Sequence, residues 1–348
     1  MKKIAKLSLV AAMAMTAANA GSLEEAIKGV NVSGKLYVES FVTETDNDGS
    51  KSGFEIDADI KLKNKINDNL TAVIDIEADT QQNEETATDD KQALELSNAY
   101  FSYTNNGATV NAGRMDINTP NTDGEEGEGF VGMYTVGPVT AVGAHFVNNS
   151  GISLTSDINA AALLGSVGPV NAEAWYVTVS DHSKNTTLVA STKVADIALG
   201  ARYATTDFED AAKKDGTTYI LSASGKVANV ALRATYLNND EDNAAFVTDD
   251  SSANTIELVN FVAGNVADMK AYAIGATVPV MENVSFALDY GWGEADVSKT
   301  EASEIVGKVS YKMAKSTTLT VRYADYTQEV NNVDTDKTHA RLDLTYKF

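Results

Sequence analysis

Five carboxylates crowd one glycine-containing stretch of this sequence. Asp116, Asp123, Glu125, Glu126 and Glu128 all fall within residues 115–129, with no basic residue among them. In a narrow passage acids so placed concentrate cations and repel anions. Gly124, Gly127 and Gly129 let the backbone bend the five towards one another. Arg114 stands just before the stretch, and Arg202, Arg233, Arg322 and Arg341 each sit beside apolar residues of the opposite parity, such as Tyr203, Ala234, Tyr323 and Leu342. Arginines facing an acidic segment across water would set a transverse field that orients dipolar solutes. The plainer reading is that each pairs with a nearby acid such as Asp289 or Asp343.

Other chemistry is thin. Cysteine is absent, which excludes disulfides, thiolate metal sites and a Cys nucleophile. His145, His182 and His339 are scattered, with no metal-ligand spacing. His182 lies between Ser180, Asp181 and Ser183, yet neighbours on one loop rarely reach triad geometry, and no Gly-x-Ser-x-Gly turn is present. The expectation is a protein that is not an enzyme and needs no cofactor. The formal charge of -22 repels nucleic acid and attracts cations.

The elements that must hold these groups are strands. From 53 to 66, Phe54, Ile56, Ala58, Ile60, Leu62 and Ile66 share one face against Glu55, Asp57, Asp59, Lys61, Lys63 and Lys65. Residues 338–348 repeat the pattern, with Ala340, Leu342, Leu344, Tyr346 and Phe348 opposite Arg341, Asp343, Thr345 and Lys347. A one-residue slip would exchange the faces. With a lysine at a bilayer midplane costing roughly 2 to 4 kcal/mol, a slip of the first strand would cost on the order of 10 kcal/mol. No apolar run after the amino end approaches the roughly 18 residues of a spanning helix, so a membrane fate requires a closed barrel. The negative mean hydropathy agrees with strands that show lipid only half their residues.

The amino end reads as a secretory leader over residues 1–20. It has Lys2, Lys3 and Lys6, an apolar stretch from Leu7 to Ala18, and Ala18-Asn-Ala20 before Gly21. Residues 21–348 then form a single barrel. Short turns are expected at 67–69, 104–107, 136–139, 167–170, 194–196, 227–229, 279–283 and 313–316. Longer, acidic connections are expected at 43–52, 80–92, 115–129, 148–156, 207–216, 238–266 and 328–337. Tight turns on one side and long loops on the other are the outer-membrane pattern, and an even strand number follows from it. Nineteen candidate strands reduce to eighteen when 254–264, which lacks alternation, joins a long seventh loop with one or two helical turns; sixteen is the fallback. Near copies at 193–203 and 226–236 point to repeated hairpins, and Gly-Pro-Val recurs at 137–139 and 168–170. Tyr176, Tyr203, Tyr236, Tyr290, Trp292, Tyr311, Tyr323, Tyr346 and Phe348 share the apolar parity near strand ends and would form interfacial girdles.

Three segments resemble the major outer-membrane porins of the Campylobacter type. They are Leu23-Glu-Glu-Ala-Ile27 with Val30-Asn-Val-Ser-Gly34, Ala112-Gly-Arg-Met-Asp-Ile-Asn-Thr-Pro120, and the terminal Leu344-Thr-Tyr-Lys-Phe348. The order and spacing match along the chain, the loops differ, and the chain is shorter than that family leads one to expect. The resemblance implies a homotrimeric, cation-preferring porin of a Gram-negative outer membrane, whose third loop folds inward with calcium as a ligand there. The expectation is therefore a transmembrane antiparallel barrel passing ions and small hydrophilic solutes passively, in contact with lipid and lipopolysaccharide. A substrate-specific channel and a non-conducting barrel serving as adhesin or structural anchor are the alternatives.

Overall fold

The computed structural model describes residues 29–46, 49–83, 94–122, 125–149, 156–247 and 256–348, without the side chains of 79–83. The expected leader, Asp123 and part of the second, fourth and seventh loops lie outside the described residues. The first nine strands are β1 (Val30–Thr45), β2 (Gly49–Lys65), β3 (Leu70–Asn83), β4 (Leu94–Asn105), β5 (Ala108–Asp116), β6 (Glu126–Val136), β7 (Val139–Asn149), β8 (Ile158–Val167) and β9 (Val170–Val179). The rest are β10 (Ser183–Val194), β11 (Ile197–Phe208), β12 (Gly216–Val227), β13 (Val230–Asn239), β14 (Met269–Met281), β15 (Val284–Ala295), β16 (Thr300–Ala314), β17 (Thr317–Val330) and β18 (Val333–Lys347). Each pairs antiparallel with its neighbours in sequence and β1 closes on β18, giving an 18-stranded barrel with no free edge. Closure satisfies every ladder group internally, as lipid demands.

At the seam, Leu36 faces Tyr346 and Val38 faces Leu344, while Glu39 faces Asp343. Gly34 donates its N–H to the Phe348 carbonyl (3.0 Å) and Phe348 returns the bond (3.1 Å). Alternation then sorts the faces: Leu342, Leu344 and Tyr346 are exposed to the exterior, whereas Asp343 retains 5% of its surface. The aromatics expected in the girdles lie on the outer face, and several meet across strands, Tyr203 and Tyr219 (5.0 Å) and Tyr236 and Tyr272 (4.9 Å) tilted, Tyr272 and Trp292 (5.0 Å) stacked. Cross-strand aromatic pairs of this kind stabilise the sheet by roughly 0.2–1 kcal/mol each.

All eight short turns fall where the sequence places them. All the long connections but the seventh are shorter than expected, because strands run on into them. The ninth, expected over 328–337, is a two-residue turn at Asn331 and Asn332, both left-handed (φ 53° and 62°), the conformation that closes a hairpin without splaying its strands. In the first, β1 runs to Thr45 and β2 starts at Gly49. The third contracts to 117–125, since Asp116 and Glu126 still pair in register. The seventh spans 240–268, and its described part holds no helical turn; Glu257 and Val262 form an isolated antiparallel bridge instead. A bridge suits the Val and Phe residues there better than a helix does.

Two apolar clusters lie inside the barrel. One gathers Met115, Ile117, Phe146, Ile158, Val177 and Val179 beneath the third loop. The other gathers Ile256, Phe261 and Ala263 of the seventh loop against Ile220, Leu237, Ala271 and Tyr326 of the wall. Both loops are thus drawn inward by burial of apolar surface, worth about 25 cal/mol per Å².

Candidate pore constriction

The third loop is stitched by its own backbone and hydroxyls. Ile117 donates its N–H to the Glu125 carbonyl (2.7 Å), and the Thr122 hydroxyl donates to the Ile117 carbonyl (2.9 Å). Thr119 and Thr122 hydroxyls meet at 2.7 Å. The tip then crosses to other elements. The Asn121 amide donates to the Phe246 carbonyl of the seventh loop (3.0 Å), and the Thr187 hydroxyl on β10 lies 3.4 Å from Asn121 Oδ1. Among the described residues of this loop, Ile117, Thr119, Asn121 and Thr122 are buried against the barrel interior.

The acids singled out in the sequence stand at its roots. Asp116 is held by Asn98, which donates its amide to the carboxylate (2.9 Å) and accepts the Asp116 N–H (3.0 Å). Glu126 pairs with Arg114 at 2.6 Å, Glu128 accepts from the Asn148 amide at 2.9 Å, and Glu125 is buried. Asp123 lies outside the described residues. Arg114 follows Gly113, whose φ of +138° interrupts the alternation just where continued parity would have turned the arginine into lipid. Among the described residues, no three His, Asp or Glu side chains converge as metal ligands would.

The other arginines line the inner wall, and those with described partners are ion-paired. Arg233 on β13 reaches over β14 to Asp289 on β15. Between them lies Gly275, where a Cβ would come within 2.0 Å of the Asp289 carboxylate and 2.7 Å of Arg233 Nε, so only glycine leaves room for the pair. Arg341 joins Glu39 (3.0 Å), Asp343 (2.6 Å) and the Tyr37 hydroxyl, and Arg322 stands 3.9 Å from Asp343. Arg202 lies in register with Val189 and Ile220 on the inner face. The plainer reading of these arginines thus describes three of them. A cavity of about 270 Å³ opens where Arg233 and Asp289 meet Glu257 and Leu258 of the seventh loop.

That loop is the element the sequence did not reveal as an inward one. Its tip is clamped by Glu304 on β16, which keeps 1% of its surface. Glu304 accepts from the backbone N–H groups of Val259 (2.9 Å), Asn260 (3.0 Å) and Phe261 (3.0 Å) and from the Asn260 amide (2.8 Å). The available signal was an inward acid on β16 whose cross-strand partners, Gly291 and Tyr326, supply no positive charge. The first arm of the loop is carried by wall hydroxyls, with Ala245 and Phe246 donating their N–H groups to Thr218 (3.0 Å) and Thr206 (2.8 Å).

Around the rim, His182 packs against Phe246 with ring centres 4.5 Å apart and against Phe208 at 5.9 Å. Its role is aromatic contact, joining the fifth loop to the seventh. Burial holds its pKa below the ordinary imidazole value, and the charge of Lys213 adds to the effect. Lys214 bonds Asp242, which raises the lysine's pKa. His145 bonds Asn159 on the outer face (2.8 Å), and His339 meets the Thr43 hydroxyl inside (2.8 Å).

The sequence matches the family model of Gram-negative porins over residues 7–332. No curated protein matches it. Among solved structures, Pseudomonas aeruginosa OpdQ superposes with a TM-score of 0.75 at 13% identity, covering 92% of this chain and 98% of that one. Acinetobacter baumannii OccAB4 gives 0.70 at 15% identity, over 91% and 98%. Pseudomonas aeruginosa OpdK, solved with vanillate, gives 0.68 at 13%, over 91% and 98%.

Proposed function

The chain belongs to the family of Gram-negative porins, proteins of the outer membrane, and on that premise we propose that it is a passive, cation-preferring diffusion channel for ions and small hydrophilic solutes. One observation carries the preference. The lumen arginines Arg233, Arg322 and Arg341 are offset by Asp289, Asp343 and Glu39, so the narrow middle holds little free positive charge while the loop side remains rich in acids. An entering cation meets an attractive potential and an anion a repulsive one. The third and seventh loops set the size limit together, and Asp116, Glu125, Glu126 and Glu128 shape the field at the root of the former. The finer likeness to Campylobacter-type porins, a homotrimeric assembly in lipopolysaccharide, a cleaved leader and calcium at the acids belong to the same reading and rest on the sequence motifs.

Reversal potentials across a planar bilayer under a KCl gradient test the proposal. Potassium is expected to permeate several-fold better than chloride; anion preference would overturn it, as would folded protein that conducts nothing. A second reading, a substrate-specific channel, is favoured by the two inward loops and the cavity beside Arg233. Liposome swelling separates the two: uptake graded by solute size supports the general pore, and saturation by one solute the specific channel.

A further inference from the structure

We propose that this pore is electrically bipolar along its axis, acidic at its outer mouth and basic at its inner one, and that it therefore rectifies current. The inference rests on the conducting-pore reading above and goes beyond it. Five lysines mark the inner end. Lys63, Lys193, Lys226 and Lys312 each lie within the last few residues of a strand beside a short turn, and Lys347 ends β18 in register with Lys35 of β1, on the periplasmic side in barrels of this kind. Each also falls between outward neighbours, Lys226 beside Val227, Lys312 between Tyr311 and Met313, and Lys347 between Tyr346 and Phe348, all exposed to the exterior. Alternation turns the lysines themselves into the lumen. None of the five has an ion-pair partner among the described residues, in contrast to Lys61 with Asp75 higher on the wall and to Lys35, in register with Lys347, which pairs with Asp59.

The acids on that side are few. Asp68 is engaged by Lys65 (2.9 Å), which lowers the carboxyl's pKa, and Glu173 accepts from the Trp175 indole (2.8 Å). Asp196 and Glu282 sit in turns. At the opposite mouth, Asp207, Glu209, Asp210, Asp240 and Glu241 stand around the rim, Glu209 beside Lys184, and Glu294, Glu301, Glu329 and Asp334 form a cross-strand row over β15 to β18 on the outward parity of Tyr290 and Trp292. Like charges in cross-strand register cost stability, and fixed charge of opposite sign at the two ends of one water-filled tube has a definite consequence. A voltage positive on the loop side drives cations in through the acidic mouth and anions in through the basic one, so both accumulate and conductance rises. The reverse voltage empties the junction of both.

The test is single-channel recording of the whole protein. At 0.1 M KCl, where the screening length is about 10 Å, current at loop-side positive voltage should exceed that at the opposite sign roughly twofold; at 1 M, where it is about 3 Å, the ratio should approach one. Because the chain contains no cysteine, Asn283→Cys in a periplasmic turn, blocked by a bulky thiol reagent added to one chamber, reports the orientation of each inserted pore. Exchanging the inner charges in Lys193→Glu, Lys226→Glu and Lys312→Glu together should abolish or invert the rectification. Ohmic, symmetric conduction at low salt in the unmodified protein would overturn the inference while leaving the pore itself standing. Rectification that persists unchanged at 1 M KCl would overturn it too. Absence of any conductance would instead defeat the underlying pore reading.

Discussion

The two loops that enter the barrel are held in opposite ways. Residues 117–125 form a short loop whose described backbone and threonine groups bond largely within it and which drops one isoleucine into an apolar niche. Residues 240–268 form a long one whose described parts lean on the wall: Thr206 and Thr218 carry the first arm, and Glu304 gathers four donors at the tip. The entropy of ordering a loop grows with its length while its internal bonds need not keep pace. A short constriction element can therefore be encoded locally. A long one requires anchors elsewhere in the chain, and those anchors are where it can be released.

The sharpest way to break this contrast is Glu304→Ala. It leaves the N–H groups of Val259, Asn260 and Phe261 without their acceptor, and each buried donor so stranded costs about 1–3 kcal/mol. Water admitted from the lumen recovers part of that, so a net loss of about 3 kcal/mol in urea unfolding from detergent is expected, with the seventh loop leaving the wall. Single-channel conductance should rise and the open level become noisier, and amide exchange should accelerate at 256–263 but not at 117–122. Equal acceleration in both loops would show that the two are one unit, and the contrast would fail.

The same contrast explains what could be read from sequence and what could not. The strands β2 and β18 announce themselves because lipid and water impose a period of two on Phe54 to Lys65 and Ala340 to Phe348, and three of the tight turns follow from Gly-Pro at 137–138 and 168–169 and Asn-Gly at 106–107. Alternation even places Arg322 and Arg341 on the inner wall. It is silent about partners: that Arg341 would meet Glu39, hundreds of residues away, follows from closure of the barrel. The third loop drew notice for its acids, whereas the residue that reaches across to other elements is Asn121, steadied by Thr119 and Thr122, and short polar side chains of this kind could equally cap a surface turn. Residues 254–264 lacked alternation because their apolar groups pack inside the lumen instead of on a lipid face. The ninth loop misled for a local reason. Its acids suggested a long exposed connection, but Asn331 and Asn332 accept left-handed backbone and let the hairpin close at once.

A smaller perturbation joins the two regions. Asn121→Ala removes the amide donated to the Phe246 carbonyl and the partner of the Thr187 hydroxyl. Because the third loop retains its internal bonds, the expected cost is about 1 kcal/mol, and the loop should stay folded. What should change is coupling: in a double-mutant cycle with Glu304→Ala, measured by conductance, the two effects should fall short of additive if Asn121 holds the seventh loop only while its tip is clamped. Strict additivity would mean that the loops constrict the lumen independently.

The subtlest handle is acid, through His182. Burial against Phe246 and Phe208 holds the imidazole's pKa below its ordinary value, so the folded protein takes up this proton less readily than the unfolded chain. The contact's contribution is then complete above the ordinary value of about 6.5 and declines as the pH falls below it towards the depressed folded value. Lowering the pH from 7.5 to 5 should loosen the first arm of the seventh loop, seen as faster amide exchange at 244–247, with the Glu304 clamp at 256–263 little affected. His182→Phe keeps the ring contact and removes the proton, so its exchange at 244–247 should no longer respond to pH over that range. A response that survives the substitution would place the sensitivity elsewhere, and the division of the long loop into a wall-carried arm and a carboxylate-held tip would lose its independent support.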